Sequence, residues 1–164
     1  MKQKTKPAIV IDNGSYEMRA GWSFSETGPY LRSKAISTKP KHLNGCGGLT
    51  KAMMDMILVG NELVDYDINR ENIRKSMFDK NVVYQKPILE ASMDYVISHI
   101  GLMNETSIDY PVMMTEPLCN PNYSRAMVSE LMFECYGVKA LSYGIDSMMA
   151  FYGSNSKQKN GLII

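Results

Sequence analysis

The chain has 164 residues, 18 of them basic and 17 acidic, for a formal charge of +1. A chain of this length suffices for one domain that buries about two-thirds of its unfolded surface. With 45% hydrophobic and 21% charged residues, a wholly disordered chain is excluded. The near-neutral balance excludes nucleic-acid binding driven by bulk charge, though a local patch stays open. The basic start, Met1-Lys2-Gln3-Lys4-Thr5-Lys6, is not followed by an apolar stretch and cleavage site. Neither a signal peptide nor a membrane anchor is therefore expected. Cys46, Cys119 and Cys135 cannot all pair and lack metal-ligand spacing, which suits a reducing compartment. The Asn-x-Ser/Thr triplets at Asn13, Asn104 and Asn122 then read as chance matches.

Ala8-Ile9-Val10-Ile11 is a short, β-branched apolar run ending at Asp12, which predicts a buried strand. Asn13-Gly14 predicts a type I′ hairpin, whose two central residues need positive φ. The return strand alternates, with Tyr16, Met18, Ala20 and Trp22 on one face and Glu17, Arg19 and Gly21 on the other. A third strand is expected from Tyr30 to Ile36. From 37 to 50, Pro40, Gly45, Gly47 and Gly48 interrupt any apolar period and predict a mobile loop.

Ile57-Leu58-Val59-Gly60 reads as a strand end, followed by a weak helix from Asn69 to Ser76. Pro87 opens a better helix, with Leu89, Met93, Val96, Ile97 and Ile100 at helical spacing and Gly101 as its stop. Pro111 to Thr115 is a buried-strand candidate. Asn120-Pro121 supplies an N-cap and first-turn proline for a helix burying Met127, Val128, Leu131, Met132 and Cys135, ended by Gly137. A short strand at Ala140 to Tyr143 precedes a last helix near Asp146 to Tyr152. A polar linker, Gly153 to Gly161, then leads to a terminal strand. A β-rich start followed by alternating helix and strand predicts an α/β layer fold with a mixed sheet.

The sharpest local feature is Asp12-Asn13-Gly14-Ser15 between two strands. A glycine-containing tip can turn successive backbone N–H groups toward one point and cradle an anion. Ser15 could add a hydroxyl donor and Arg19 a positive charge, while Asp12 could hold a metal ion through water. Such a set suits the terminal phosphates of a nucleotide and their cation. Most Asn-Gly hairpins, however, are only hairpins.

Beyond spacing, Ala8-Ile-Val-Ile-Asp-Asn-Gly-Ser-Tyr-Glu-Met-Arg-Ala-Gly-Trp22 resembles the first phosphate loop of the actin family. Met114-Thr-Glu-Pro-Leu-Cys-Asn-Pro121 is similar to the family signature that ends a central strand and starts a helix. Glu130-Leu-Met-Phe-Glu134 and Tyr143-Gly-Ile-Asp-Ser-Met-Met-Ala-Phe-Tyr152 continue the likeness in order. The resemblance implies an actin-like, ribonuclease-H-like mixed sheet with flanking helices, covering most of one lobe of a two-lobed fold. It assigns a basic tail to 1–7, a partial subdomain 1 to 8–36 and 70–164, and a small insertion with a mobile loop, like subdomain 2, to 37–69. It also implies that the chain stops at the next phosphate-binding strand, inside Gly161-Leu162-Ile163-Ile164.

Three further stretches are similar to one nuclear branch of the family: Phe78 to Val82, Asn120 to Tyr136, and Ser142 to Ser147. That likeness implies a non-catalytic subunit of the INO-eighty chromatin-remodelling complex. Its expected partners are the remodeller motor, other complex subunits and the nucleosome, with roles in transcription regulation and DNA repair. No membrane partner and no filament are expected, because the Lys/Gly-rich 37–50 loop departs from that of filament-forming actins.

By the same resemblance, the phosphate set is Asp12, Asn13, Gly14, Ser15, Tyr16 and Arg19. Tyr16 stands where actins place a glycine, so only its backbone could serve. Arg19 replaces a phosphate-binding lysine, exchanging a compact ammonium for a planar fork. Asp146 occupies the position of the glutamine that orients the attacking water. A carboxylate there adds like-charge repulsion, although it could act as a base; general-base catalysis contributes about 10²–10⁴-fold. ATP with magnesium is the family's cofactor, and this chain alone is expected to bind it weakly or not at all. The alternative is an actin-type ATP-binding protein with slow ATPase activity.

Other residues read more plainly. His42 and His99 have no triad-like neighbours, and Glu116 and Glu134 form no recognisable acid/base pair. Nothing near Cys46 would lower its pKa. Lys2, Lys4, Lys6, Lys39 and Lys41 read as solvated surface rather than a DNA patch.

Overall fold

The computed structural model describes residues 7–29, 31–39, 56–60, 73–102, 107–154 and 161. At its centre is a mixed sheet of five strands. β1 (Ile9–Asn13) is flanked by antiparallel β2 (Met18–Trp22) and parallel β9 (Val112–Glu116). β3 (Leu31–Ser33) lies outside β2, and β10 (Leu141–Ile145) runs parallel to β9 at the other edge. Alternation decides the faces. Ile9 and Ile11 of β1, Met18 and Ala20 of β2, and Val112 and Met114 of β9 are all buried in one core. The expected mixed sheet is present, and its three parallel strands all point their carboxyl ends the same way.

Against this core packs α1 (Lys86–Ile100), which buries Ile88, Leu89, Ser92, Met93 and Val96. Pro87 sits in its first turn, and Gly101 ends it at φ 90°, a left-handed cap that costs glycine no Cβ clash. The second helix, α2 (Asn122–Glu130), runs on into a π-helical turn at Leu131–Cys135. Met127, Val128, Leu131 and Met132 are buried as the spacing predicts, but Cys135 is exposed. The wider π turn shifts the helical phase, so the last predicted core position leaves the apolar stripe. The expected cap also differs. Pro121 holds the N-cap position without a side-chain bond, while the Asn120 amide turns back to Glu116.

Three further readings are corrected. The third strand breaks after Ser33: β4 (Ala35–Lys39) leaves for a separate three-stranded sheet with β5 (Met56–Val59) and β6 (Ile73–Lys75). Residues 37–39 are therefore strand, and the rest of the predicted loop, with Cys46 and His42, lies outside the described residues. Ile73–Lys75 is strand rather than helix, because pairing with β4 overrides a weak local propensity. Of the predicted linker and terminal strand, only residues 153, 154 and 161 are described, and Gly153 ends α3 (Asp146–Gly153).

The type I′ turn is likewise displaced. Neither Asn13 nor Gly14 has positive φ; the β1–β2 connection is a four-residue loop from Gly14 to Glu17. Consecutive positive φ values occur instead at Lys80 (48°) and Asn81 (74°), which close β7 (Phe78–Asp79) onto β8 (Val82–Val83). Among the described residues, no helix is long and apolar enough to cross a membrane.

Candidate functional site

A cleft of about 270 Å³ opens at the carboxyl ends of the parallel strands. Open α/β sheets place ligands at such a crevice, where loops diverge and strand-end groups are exposed. All six sequence-predicted site residues, Asp12, Asn13, Gly14, Ser15, Tyr16 and Arg19, line it. Asp146, the first residue of α3, reaches the same space.

Tertiary pairing adds residues that motif reading passed over. Thr115, next to last in β9, lies beside β1 and relays between the strands. The Asn13 N–H donates to Thr115 Oγ1 at 2.9 Å, and that hydroxyl donates to Asp12 Oδ1 at 2.8 Å. The Asp12 carboxylate is thereby aimed while its side chain stays 44% exposed. Asn81, carried by the β7–β8 turn, forms another part of the lining. The adjacent ends of two predicted strands, at Asp12 and Thr115, were the available signal for the first. The second had no signal, because Lys80-Asn81 is not a strong turn dipeptide.

Gly14 is required for space rather than for φ. A Cβ there would lie 2.8 Å from the Glu17 carbonyl oxygen, so the loop closes too tightly for any side chain. The N–H groups of Gly14, Ser15 and Tyr16 have no acceptor among the described residues. The Tyr16 ring turns outward, 76% exposed, and the Lys34 ammonium sits 3.4 Å from its centroid. The ring thus lies largely in solvent, which lets a tyrosine be accommodated in this loop.

Arg19 is already engaged. Its Nε donates to Glu17 Oε1 at 2.7 Å, and its guanidinium lies 4.0 Å from Asp12 Oδ2. The Arg19 hydrogen bond holds the Glu17 carboxyl below the ordinary carboxylate range. At the cleft wall, Glu116 is 8% exposed and gripped by Arg125, Nε to Oε2 at 2.9 Å and the second fork nitrogen to Oε1 at 2.6 Å. Asn120 adds a third donor at 3.0 Å. Those bonds, Arg125 first, outweigh burial and depress the Glu116 pKa. Behind them, burial pushes the Tyr143 phenol up, while its oxygen shares a 2.8 Å hydrogen bond with Ser129.

The lining thus carries carboxylates at Asp12, Glu17, Glu116 and Asp146 against one guanidinium, Arg19. Glu17 and Glu116 are paired closely with arginines, whereas Asp12 has Arg19 only at 4.0 Å and Asp146 has no ion-pair partner among the described residues. A bare polyphosphate would be repelled, so the residues fit a phosphate accompanied by a hydrated divalent cation. Asp12 would hold that cation through water, and the Gly14–Tyr16 N–H groups would take the phosphate oxygens. Magnesium would supply charge neutralisation there. Among the described residues, no cluster of three or more metal-ligating side chains exists that could hold an ion by itself.

Comparison with known proteins agrees with this architecture. A family model described as Actin matches residues 3–164. The chain is similar to actin-related protein 5 of Drosophila melanogaster, 38% identical over 94% of this chain and 25% of that protein. The human protein of the same name is 38% identical over 95% and 25%, and that of Dictyostelium discoideum 40% over 93% and 20%. The chain therefore spans about a quarter or less of the length of these relatives. A strand-end cleft bordered by a glycine-tight turn, on a mixed sheet matched along almost its whole sequence, places this chain in the actin family.

Proposed function

We propose that this chain is part of a non-catalytic, actin-related subunit of the INO-eighty chromatin-remodelling complex in the nucleus. There it contributes to nucleosome remodelling, transcription regulation and DNA repair, with the remodeller motor, other complex subunits and the nucleosome as partners. The observation that carries the non-catalytic reading is Asp146. It borders the same cleft as Asp12, so a reacting γ-phosphate there would meet a second negative charge. Similarity to proteins named actin-related protein 5 supports the choice of complex.

Affinity purification of the tagged full-length protein from nuclei tests the assembly role. Recovery of the remodeller motor in stoichiometric amount is the expected result, and its absence overturns the assignment. For the nucleotide, this 164-residue chain is expected to bind ATP·Mg weakly or not at all, since the cleft is shallow and open to solvent. Micromolar affinity by calorimetry contradicts that expectation.

A slow actin-type ATPase is the second reading, favoured by the three unpartnered N–H groups at Gly14 to Tyr16. Single-turnover hydrolysis by the full-length protein separates the two. Negligible turnover that rises in Asp146→Gln supports the assembly role, whereas wild-type turnover at the rate of filament-forming actins supports the enzyme.

A further inference from the structure

Behind the cleft wall lies a small, partly open space of about 10 Å³, bordered by Asn13, Asn120 and Ser124 and by apolar side chains such as Phe78, Met114 and Val128. That volume, measured for the centre of a water-sized probe, is at the lower bound for holding a single water molecule. Two of its bordering residues carry buried acceptors that no described donor reaches, Asn13 Oδ1 and Asn120 Oδ1. The Asn120 orientation is set independently, because its Nδ2 donates to Glu116 Oε2 at 3.0 Å and its oxygen must then face elsewhere. Asn13 is tied through its own N–H to Thr115 Oγ1. A buried acceptor without a donor loses the hydrogen bonds it had in water, so two bordering one space call for a shared donor.

Water is the one small species that matches. It offers two donors for two acceptors, and Ser124, 1% exposed, brings a hydroxyl to the same space. A cation is disfavoured, since Arg125 already balances the neighbouring Glu116 charge. We propose that one buried water bridges Asn13 Oδ1 and Asn120 Oδ1, joining the phosphate-loop turn to the Glu116–Arg125 network. Asn120 is then a positioning residue: it acts on the cleft through the water and Asn13, whichever ligand the cleft accepts.

A crystal structure of this chain, at a resolution that shows ordered solvent, reads the proposal directly. The expected result is one density peak about 2.7–3.2 Å from both oxygens. No peak with both amides in place, or either oxygen bonded to a protein donor, overturns it. Melting temperatures give a second reading. Asn13→Ala and Asn120→Ala each lower the melting temperature, and the double variant falls by clearly less than the sum, because the second loss finds the bridge already gone. Additive shifts show two independent asparagines and sink the bridge.

Discussion

Asp12 and Glu116 lie at the carboxyl ends of neighbouring parallel strands and border the same cleft, yet the two regions around them are built oppositely. Glu116 is enclosed, with a bidentate arginine and an asparagine on its oxygens. Asp12 accepts one hydrogen bond from the Thr115 hydroxyl, has its arginine at 4.0 Å, and remains nearly half exposed. A carboxylate whose lone pairs are filled holds the wall together; one left open can meet a cation. The distinction is one of partners, since both side chains have the same chemistry.

Removing the arginine is expected to break this contrast most strongly. Arg125→Ala leaves the enclosed Glu116 without its cation and should lower the midpoint of urea denaturation more than either Gly14→Ala or Asp12→Asn does. A loss within about 0.5 kcal/mol would show that the wall is solvated.

The same pair sets an acid limit. The Glu116 pKa is depressed below its ordinary 4.5 by Arg125 and Asn120, so its contribution is fully present above pH 4.5. That contribution is lost as pH falls through the depressed value. Stability measured from pH 6 down to about pH 3 should therefore fall, and the fall should be shallower in Arg125→Ala. Identical slopes for the two proteins would remove Glu116 as the cause.

Gly14→Ala sharpens the contrast from the loop side. Its Cβ meets the Glu17 carbonyl at 2.8 Å, so the turn must open, at a cost of about 1–3 kcal/mol. Loss of the Arg19–Glu17 contact should accompany it, seen as a Glu17 carboxyl that titrates closer to 4.5 by NMR. Asp12→Asn should have the smallest effect on folding, within about 0.5 kcal/mol, because its carboxylate is half exposed and lightly bonded. A larger loss on thermal unfolding would make Asp12 a structural residue like Glu116.

Much of the site was legible in the sequence because it lies on one short hairpin. Asp12 to Arg19 reach the cleft together through strand-end geometry alone, and their spacing is visible without a fold. Glu116 was legible as a residue but not as a role. Its partner Arg125 stands nine positions on, across a corner where Cys119 takes φ 60°, and no helical or strand period links the two. Thr115 depends on β1 pairing with a strand about 100 residues later, a register set by packing.

By itself, the sequence determined the alternation that buries Ile9, Ile11, Val112 and Met114, the helix from Pro87 to its Gly101 stop, and the family likeness. Those are local or periodic properties, and burying apolar surface selects them in almost any arrangement. Only the tertiary structure decided where the left-handed turn falls. Asn13-Gly14 has the stronger local signal, yet the four-residue loop that aims Asp12 at the cleft leaves both residues outside positive φ. Lys80-Asn81, with weaker propensity, takes it because β7 and β8 must close on two residues. The geometry of the surrounding strands, settled by long-range pairing, outweighs the fraction of a kcal/mol by which one turn dipeptide exceeds another.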